Sequence, residues 1–296
     1  MDDRLQLGGG AAGEPNRLLL ADALTTLGAL ASDSVELVYA DPPFATGLVR
    51  RAADASGLVR SYDDGLEEPA DYVAWLEPQL AEMHRALAAS GSLFLHLDHR
   101  MSAYARVALD RVFGRAAFRN EIVWHYGLGG RAPVNAFARK HDVLLFYARG
   151  PANTFHRLRG GITPAMAAKY AHEDEHGRYQ NAHGRRYYLK GGKPFDSVWE
   201  LPSIAPTAAE RVGYPTQKPL ALLERIVLAT TDPGALVADP FVGSGTTAVA
   251  AQRLGRRFVA GDSSPEAVAV TCERLRRSAA TQPATQPAPD VLLLRP

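Results

Sequence analysis

An α/β fold on a mostly parallel sheet is what this 296-residue sequence predicts, and three observations predict it. Five short apolar runs each end in an aspartate: Leu18 to Asp22, Val38 to Asp41, Leu93 to Asp98, Leu236 to Asp239 and Phe258 to Asp262. Stretches with helical apolar spacing separate them, and proline follows Asp41 and Asp239 directly. Short continuous apolar runs bounded by turn residues mark strands buried on both faces, as parallel strands between helix layers are.

In chain order, the first run precedes the strand pattern Val35 to Ala40. The clearest helix is Tyr72 to Ala88, where Val73, Leu76, Leu80, Met83 and Leu87 recur on one face. Tyr104 to Phe113 and Leu220 to Thr230 repeat the pattern, and Thr246 to Arg256 opens behind a glycine turn. Thr46 to Asp64 has no period and holds Arg50, Arg51 and Arg60, which suits either a mobile active-site loop or a featureless connection. Both ends read as disordered: Gly8-Gly9-Gly10 lies within residues 1 to 15, and Ala280-Thr281-Gln282-Pro283 repeats as Ala284-Thr285-Gln286-Pro287 within a flexible tail at 279 to 296.

Composition excludes several classes. No apolar stretch is long enough to span a bilayer, residues 1 to 15 lack the basic and apolar regions of a signal peptide, and the single Cys272 cannot form an internal disulfide. The expected setting is the cytoplasm of a prokaryote, with no membrane partner. The net charge of +1 hides an asymmetry: Arg119 to Glu200 holds 13 Lys and Arg against 7 Asp and Glu, leaving the rest of the chain net acidic. That segment also carries 12 of the 24 aromatic residues, including Trp124, Tyr126, Tyr187, Tyr188 and Trp199. Cations interleaved with aromatics suit contact with the phosphates and bases of a nucleic acid.

Two motifs carry the chemistry. Asp41-Pro42-Pro43-Phe44 ends an apolar strand pattern and offers one carboxylate, a carbonyl from Pro42 whose following residue has no N–H, and a flat ring. Asp239-Pro240-Phe241-Val242-Gly243-Ser244-Gly245-Thr246-Thr247 places a glycine turn between a strand and a helix, the context of a cofactor loop. Gly243-x-Gly245-x-x-Ala248 with Asp262 after the next strand also satisfies the dinucleotide fingerprint, so a dehydrogenase is the rival on this motif alone. Against it, Asp239 would repel a pyrophosphate, no separate substrate domain follows, and Asp41-Pro42-Pro43-Phe44 would have no role. Ligands of open α/β sheets bind at the carboxyl ends of the strands, so the five aspartates should share one edge and need a cationic or hydrogen-bond-donating ligand.

On these motifs, together with Tyr214-Pro215-Thr216-Gln217-Lys218-Pro219 and the order in which they occur, the chain resembles the beta-group amino-methyltransferases of DNA over roughly Asn16 to Arg277. The resemblance implies a Rossmann-like methyltransferase with permuted motif order: a catalytic half at 16–118, an inserted target-recognition region at 119–204 and a cofactor-binding half at 205–278. It implies methyl transfer from S-adenosyl-L-methionine to an amino group of a flipped-out base. Asp41, Pro42 and Pro43 would grip that group and Phe44 would stack on the base, although many members have Tyr at this position. Asp rather than Ser at position 41 leans towards adenine N6. Cytosine N4 is the alternative within the class, and a catalytically silent DNA-binding protein the alternative outside it.

For the cofactor, the resemblance assigns Asp22 and Ala23 to the adenine edge, and Thr216, Gln217 and Lys218 to the carboxylate. Gly243 and Gly245 would let backbone approach the methionine moiety and Asp262 would accept the ribose hydroxyls, with Asp41, Asp239, Phe241, Ser244, Thr246, Thr247 and Ser263 completing the set. Arg185, Arg186, Lys190 and Lys193 are the expected nucleic-acid contacts. A homodimer and a cognate restriction endonuclease are further candidate partners on the same resemblance. No metal is expected: His172-Glu173-Asp174-Glu175-His176 matches the H-E-x-x-H spacing, but its flanks are polar and Gly177 follows.

Overall fold

The computed structural model describes residues 3–5, 15–44, 50–53, 59–62, 68–127, 133–281 and 290–294. The five aspartate-ended runs all become strands of one sheet: β1 (Asp3–Leu5) precedes them, and they are β2 (Asn16–Leu20), β3 (Val35–Ala40), β6 (Leu87–Leu97), β13 (Leu236–Asp239) and β14 (Arg257–Asp262). Between them come the separate ribbon of β4 (Arg50–Ala53) and β5 (Val59–Tyr62), then β7 (Phe118–His125), β8 (His141–Ala148), β9 (His172–Asp174), β10 (Gly177–Ala182), β11 (Arg185–Tyr188) and β12 (Val198–Glu200), and last β15 (Val291–Leu294). The ten-stranded sheet runs β1-β15-β2-β14-β13-β3-β6-β8-β7-β12. Its central block β2-β14-β13-β3-β6 is wholly parallel.

Helices cover both faces. On one lie α1 (Ala23–Gly28), α2 (Pro69–Ala86) and α3 (Ser102–Phe113), where Leu27, Leu76, Leu80 and Leu109 are fully buried against Val38, Leu93 and Leu95. Between the layers in sequence comes the short α4 (Pro164–Lys169), and on the opposite face lie α5 (Leu220–Thr230), α6 (Thr246–Arg253) and α7 (Pro265–Ala280), packing Leu223, Ile226, Ala250 and Leu275 on Leu37, Val237 and Phe258. The chain leaves β3 through α2 towards β6 and leaves β13 through α6 towards β14, in opposite directions along the sheet. A crevice therefore opens between the carboxyl ends of β3 and β13, the switch point at which open α/β sheets bind ligands. Asp41 and Asp239 stand on its two sides.

Three expectations are corrected. The tail expected to be flexible instead supplies β15, whose Val291 is fully buried and which pairs in parallel with β2 and antiparallel with β1. Apolar Val291 to Leu294 gain their ladder partners only from strands near the other end of the sequence, so local composition does not reveal them. Asp3–Leu5 likewise lies in the sheet rather than in a disordered segment; the Gly8-Gly9-Gly10 stretch lies outside the described residues. The inserted region does not begin at 119: β7 and β8 are antiparallel strands of the main sheet, and β12 rejoins it beside β7. What projects from the sheet is 149–197, built on the three-stranded β11-β10-β9. Within Thr46 to Asp64 the described residues form the β4/β5 ribbon.

Candidate methyl-transfer site

A cavity of about 350 Å³ lies over the crevice. Asp22, Asp41, Asp239 and Asp262 all line it, so four of the five strand-end carboxylates converge as expected, while Asp98 faces a second cavity. Ala23, Pro42, Pro43, Phe44, Thr216, Lys218 and Phe241 line the first cavity too, with Gly243, Ser244, Thr246, Thr247 and Ser263. Each acid is fixed by its element. Asp22 caps α1 by accepting from Thr25 N at 2.7 Å, and that bond holds its carboxyl below the usual range. Asp262 accepts from Gly243 N and Ser264 N, both at 2.9 Å. Asp239 accepts from Phe241 N at 2.9 Å; burial, helped by Asp41 and Asp262, pushes its carboxyl up to about 7.

Two predicted cofactor residues sit elsewhere. Gln217 turns away: its Oε1 accepts from Val212 N at 2.9 Å and its Nε2 donates to Glu210 O at 2.6 Å, bracing the loop before α5. Gly245 does not line the cavity either. Its φ is +83°, and a Cβ there would stand 2.6 Å from Thr271 Oγ1, so this glycine is required by close packing of α6 on α7. Gly243 does line the cavity, and its N–H is spent on Asp262.

Sequence reasoning missed what supports the loop from behind. Arg274, buried in α7, donates through Nη1 to Ser244 O at 2.8 Å and to Thr246 Oγ1 at 2.9 Å, while Thr271 Oγ1 donates to Gly243 O at 3.1 Å. Burial lowers the Arg274 guanidinium to about 10. The helical spacing of α7 showed a buried face but not that an arginine lies on it. Arg274→Leu should weaken S-adenosylhomocysteine binding roughly tenfold by loosening the loop, since hydrogen bonds from a charged donor contribute about 1.5–3 kcal/mol; calorimetry reads this, and unchanged affinity would show the support to be idle. Trp75 and Gln79 from α2, and Tyr214, also line the cavity without having been foreseen, and Trp75 lies 6.0 Å from the ring of Phe241.

At the heart of the crevice the Lys218 ammonium contacts Asp41 Oδ2 and lies 5.2 Å from the centre of the Phe44 ring. Both partners are largely buried. Asp41 Oδ1 is buried and has no hydrogen-bond partner among the described residues, an acceptor state that natural sites leave open at a cost. Phe44, Thr216 and Lys218 also line the second cavity, of about 490 Å³, and so form a shared wall. Behind that wall runs a buried chain across neighbouring strands: Tyr39 Oη lies 2.7 Å from His96 Nδ1, His96 Nε2 3.3 Å from Asp142 Oδ2, and Tyr126 Oη donates to Asp142 Oδ1 at 3.3 Å. A neutral imidazole accepting at Nδ1 and donating at Nε2 satisfies both ends. Phe44 packs on that imidazole, ring centres 6.0 Å apart.

Of the expected nucleic-acid contacts, Arg185, Lys190 and Lys193 are exposed. Arg186 is not a free cation: its Nη1 donates to Asp174 Oδ2 at 2.9 Å and its guanidinium lies 4.8 Å from the Tyr179 ring centre. The Gly192 N–H donates to Gly160 O and a Cβ there would meet that oxygen at 2.2 Å, so close backbone packing holds the turn between Lys190 and Lys193. His172 to His176 forms strand β9 and a turn, not the helix that the zinc spacing requires. No described helix is long and apolar enough to cross a membrane.

Comparison with known proteins agrees with this geometry. The chain is 28% identical to the DNA adenine methyltransferase YhdJ of Escherichia coli (strain K12) over 263 residues, covering 88% of this chain and 83% of that protein. It is 29% identical to the type II methyltransferase M.HpaI of Haemophilus parainfluenzae over 262 residues, covering 88% and 74%. Among solved structures, TTHA0409 of Thermus thermophilus, complexed with S-adenosyl-L-methionine, superposes with a TM-score of 0.58 at 21% identity over 95% of this chain and 98% of that one. The cytosine-N4-specific PvuII DNA methyltransferase superposes with a TM-score of 0.60 at 18% identity over 89% of each. The family model described as DNA methylase, N6_N4_Mtase, matches residues 35–273 and so takes in both aspartate motifs, the crevice and the strands between them: the chain belongs to this DNA methylase family.

Proposed function

We propose that the chain transfers a methyl group from S-adenosylmethionine to adenine N6 in double-stranded DNA, taking the base out of the helix. The observation that carries this is Asp41 Oδ1, a buried acceptor without a partner among the described residues, on a side chain that lines the first cavity beside the wall of Phe44, Thr216 and Lys218 shared with the second. S-adenosylmethionine supplies an electrophilic methyl group on a sulfonium. The first cavity suits that cation: it has four carboxylates, with Lys218 and Thr216 available to a carboxylate, Asp262 to ribose hydroxyls, and Trp75 and Phe241 to an aromatic base.

An exocyclic amino group entering from the second cavity would give one N–H to Asp41 Oδ1 and one to the Pro42 carbonyl, with the base ring on Phe44. Both bonds favour a pyramidal nitrogen with its lone pair directed to the methyl group. Positive charge then grows on nitrogen and the Asp41 carboxylate stabilises it, an effect of about 3–4 kcal/mol, whereas alignment of the reactants contributes roughly 7–11. Lys218 must leave Asp41 first, because an ammonium held there would repel that charge; the carboxylate of the cofactor is the anion that would draw it away.

Adenine is favoured because position 41 is Asp, and the similarity to YhdJ, a DNA adenine methyltransferase, supports it. Incubation of genomic DNA with labelled cofactor followed by nucleoside analysis tests the reading. N6-methyladenine is expected, N4-methylcytosine would move the reading to the other base, and absence of both would leave a DNA-binding protein.

The acids of the first cavity make cofactor binding depend on pH. Asp239, raised from 3.8 to about 7, prefers its proton in the folded protein. Its ionisation cost is absent below pH about 4, grows up to pH about 7 and is constant above; one pKa unit is about 1.4 kcal/mol, which bounds the cost at about 4 kcal/mol. Asp239→Asn should therefore melt progressively higher than the parent as pH rises from about 4 to about 7. Cofactor affinity in the parent should rise over the same window, because a cationic ligand favours the ionised carboxylate; a flat profile would remove Asp239 from cofactor binding.

For DNA, the projecting region 149–197 is read as the target-recognition element. Replacing Arg185, Lys190 and Lys193 together by alanine should flatten the salt dependence of DNA binding, by up to about 0.9 in slope for each phosphate that is no longer neutralised. An unaltered slope would place the DNA elsewhere.

A further inference from the structure

The loop joining β7 to β8 ends at the mouth of the second cavity and carries apolar side chains that stand clear of the other described residues. Among the described residues, Val134 and Phe137 are the most exposed large apolar side chains, at 106% and 97% of full exposure. Isolated apolar residues on a surface are ordinary; two of them, wholly exposed within one short irregular stretch, are not. The stretch is anchored rather than trailing: Tyr126 N–H donates to Lys140 O at 3.1 Å, one step beyond the last β7–β8 pair, His125 with His141. Tyr126, Arg139 and His141 line the second cavity, so Phe137 stands two residues from its rim.

Charge identifies the partner. The described residues 133 to 141 include Arg139 and Lys140 and no acid. A ring presented among cations fits a polyanion with an apolar interior, which is the stacked core of a DNA duplex. The cavity below is where the target base would lodge, and a base that leaves the stack opens a gap beside its former partner.

We infer that Phe137, with Val134 beside it, is a wedge that enters the base stack at the step vacated by the target base, while Arg139 and Lys140 hold the adjoining phosphates. The ring replaces the stacking that neighbouring bases lose, so the wedge acts on opening of the duplex and not on the cofactor or on methyl transfer. This inference rests on the base-flipping reading above.

The test compares the parent, Phe137→Ala and Phe137→Trp on duplexes that carry the modified site found by genome mapping, with the target base matched, mismatched or opposite an abasic position. Because Phe137 is exposed, all three proteins should melt alike and bind S-adenosylhomocysteine alike. On the matched duplex, Phe137→Ala should lose roughly tenfold or more in kcat/KM, the scale of one missing base–aromatic stack, and Phe137→Trp should retain most of it. On mismatched and abasic duplexes, where opening is already cheap, the alanine variant should recover to within about threefold of the parent. Equal losses on all three duplexes would reduce Phe137 to an ordinary contact and overturn the wedge. So would no loss on the matched duplex; if sedimentation then showed a changed oligomeric mass, the loop would be a contact between copies of this chain. A parent inactive on every duplex would instead overturn the methyltransferase reading.

Discussion

Asp41→Ala should abolish methyl transfer and leave S-adenosylhomocysteine binding as tight as in the parent or tighter. In the proposed mechanism the carboxylate grips the target amino group, and its removal frees the buried Lys218 ammonium for an anionic ligand. Asp41→Asn keeps the shape and loses the charge, so its rate should fall by at least about 100-fold, the scale of one aimed electrostatic contact. Single-turnover assays with saturating cofactor read both. Turnover within a few-fold of the parent in either variant would take Asp41 out of the mechanism and leave its unpartnered oxygen unexplained.

The second large effect is expected at Lys218. Lys218→Met removes the cation proposed to meet the cofactor carboxylate and takes from the largely buried Asp41 the ammonium that contacts it. Truncating one partner of a buried charge pair costs roughly 2–5 kcal/mol, so cofactor affinity should fall by about two orders of magnitude. Residues in contact do not act additively. Adding Asp41→Asn to Lys218→Met should therefore restore part of the missing cofactor affinity, since no unpaired charge remains. Calorimetry of the four proteins closes the cycle; strict additivity would show that the two side chains do not share one site.

The parallel core of the fold was legible because each central strand is buried on both faces and so appears as an unbroken apolar run ending in a polar residue. The same logic located the site, since strand ends and glycine turns occur where ligands of such sheets bind. Antiparallel β7, β8 and the edge strands were not legible. Phe118 to His125 alternates exposed Glu121 with buried Ile122 and is interrupted by a register shift, and β12 has only three residues. That Gln217 and Gly245 stand away from the first cavity was not legible for a single reason: a motif says which residues occur together but not which of them face the cavity and which brace the loop. Arg274 and Asp142 carried no local signal at all, because their partners are set by the packing of α7 behind the cofactor loop and of β8 beside β6.

The strand β15 has a consequence for how the protein is made. On the ribosome, β2 at 16–20 is synthesised long before its partner at 291–294. Until then one edge of β2 presents unpaired N–H and C=O groups beside apolar Leu18 and Leu19, the kind of exposed edge that captures other chains. Asp22 follows that strand at the cofactor cavity, so the adenine side of the site should acquire its final geometry last. Released chains truncated before residue 290 are accordingly expected to hold a formed α5–α6–α7 layer, yet to need chaperone protection of that edge and to bind cofactor poorly.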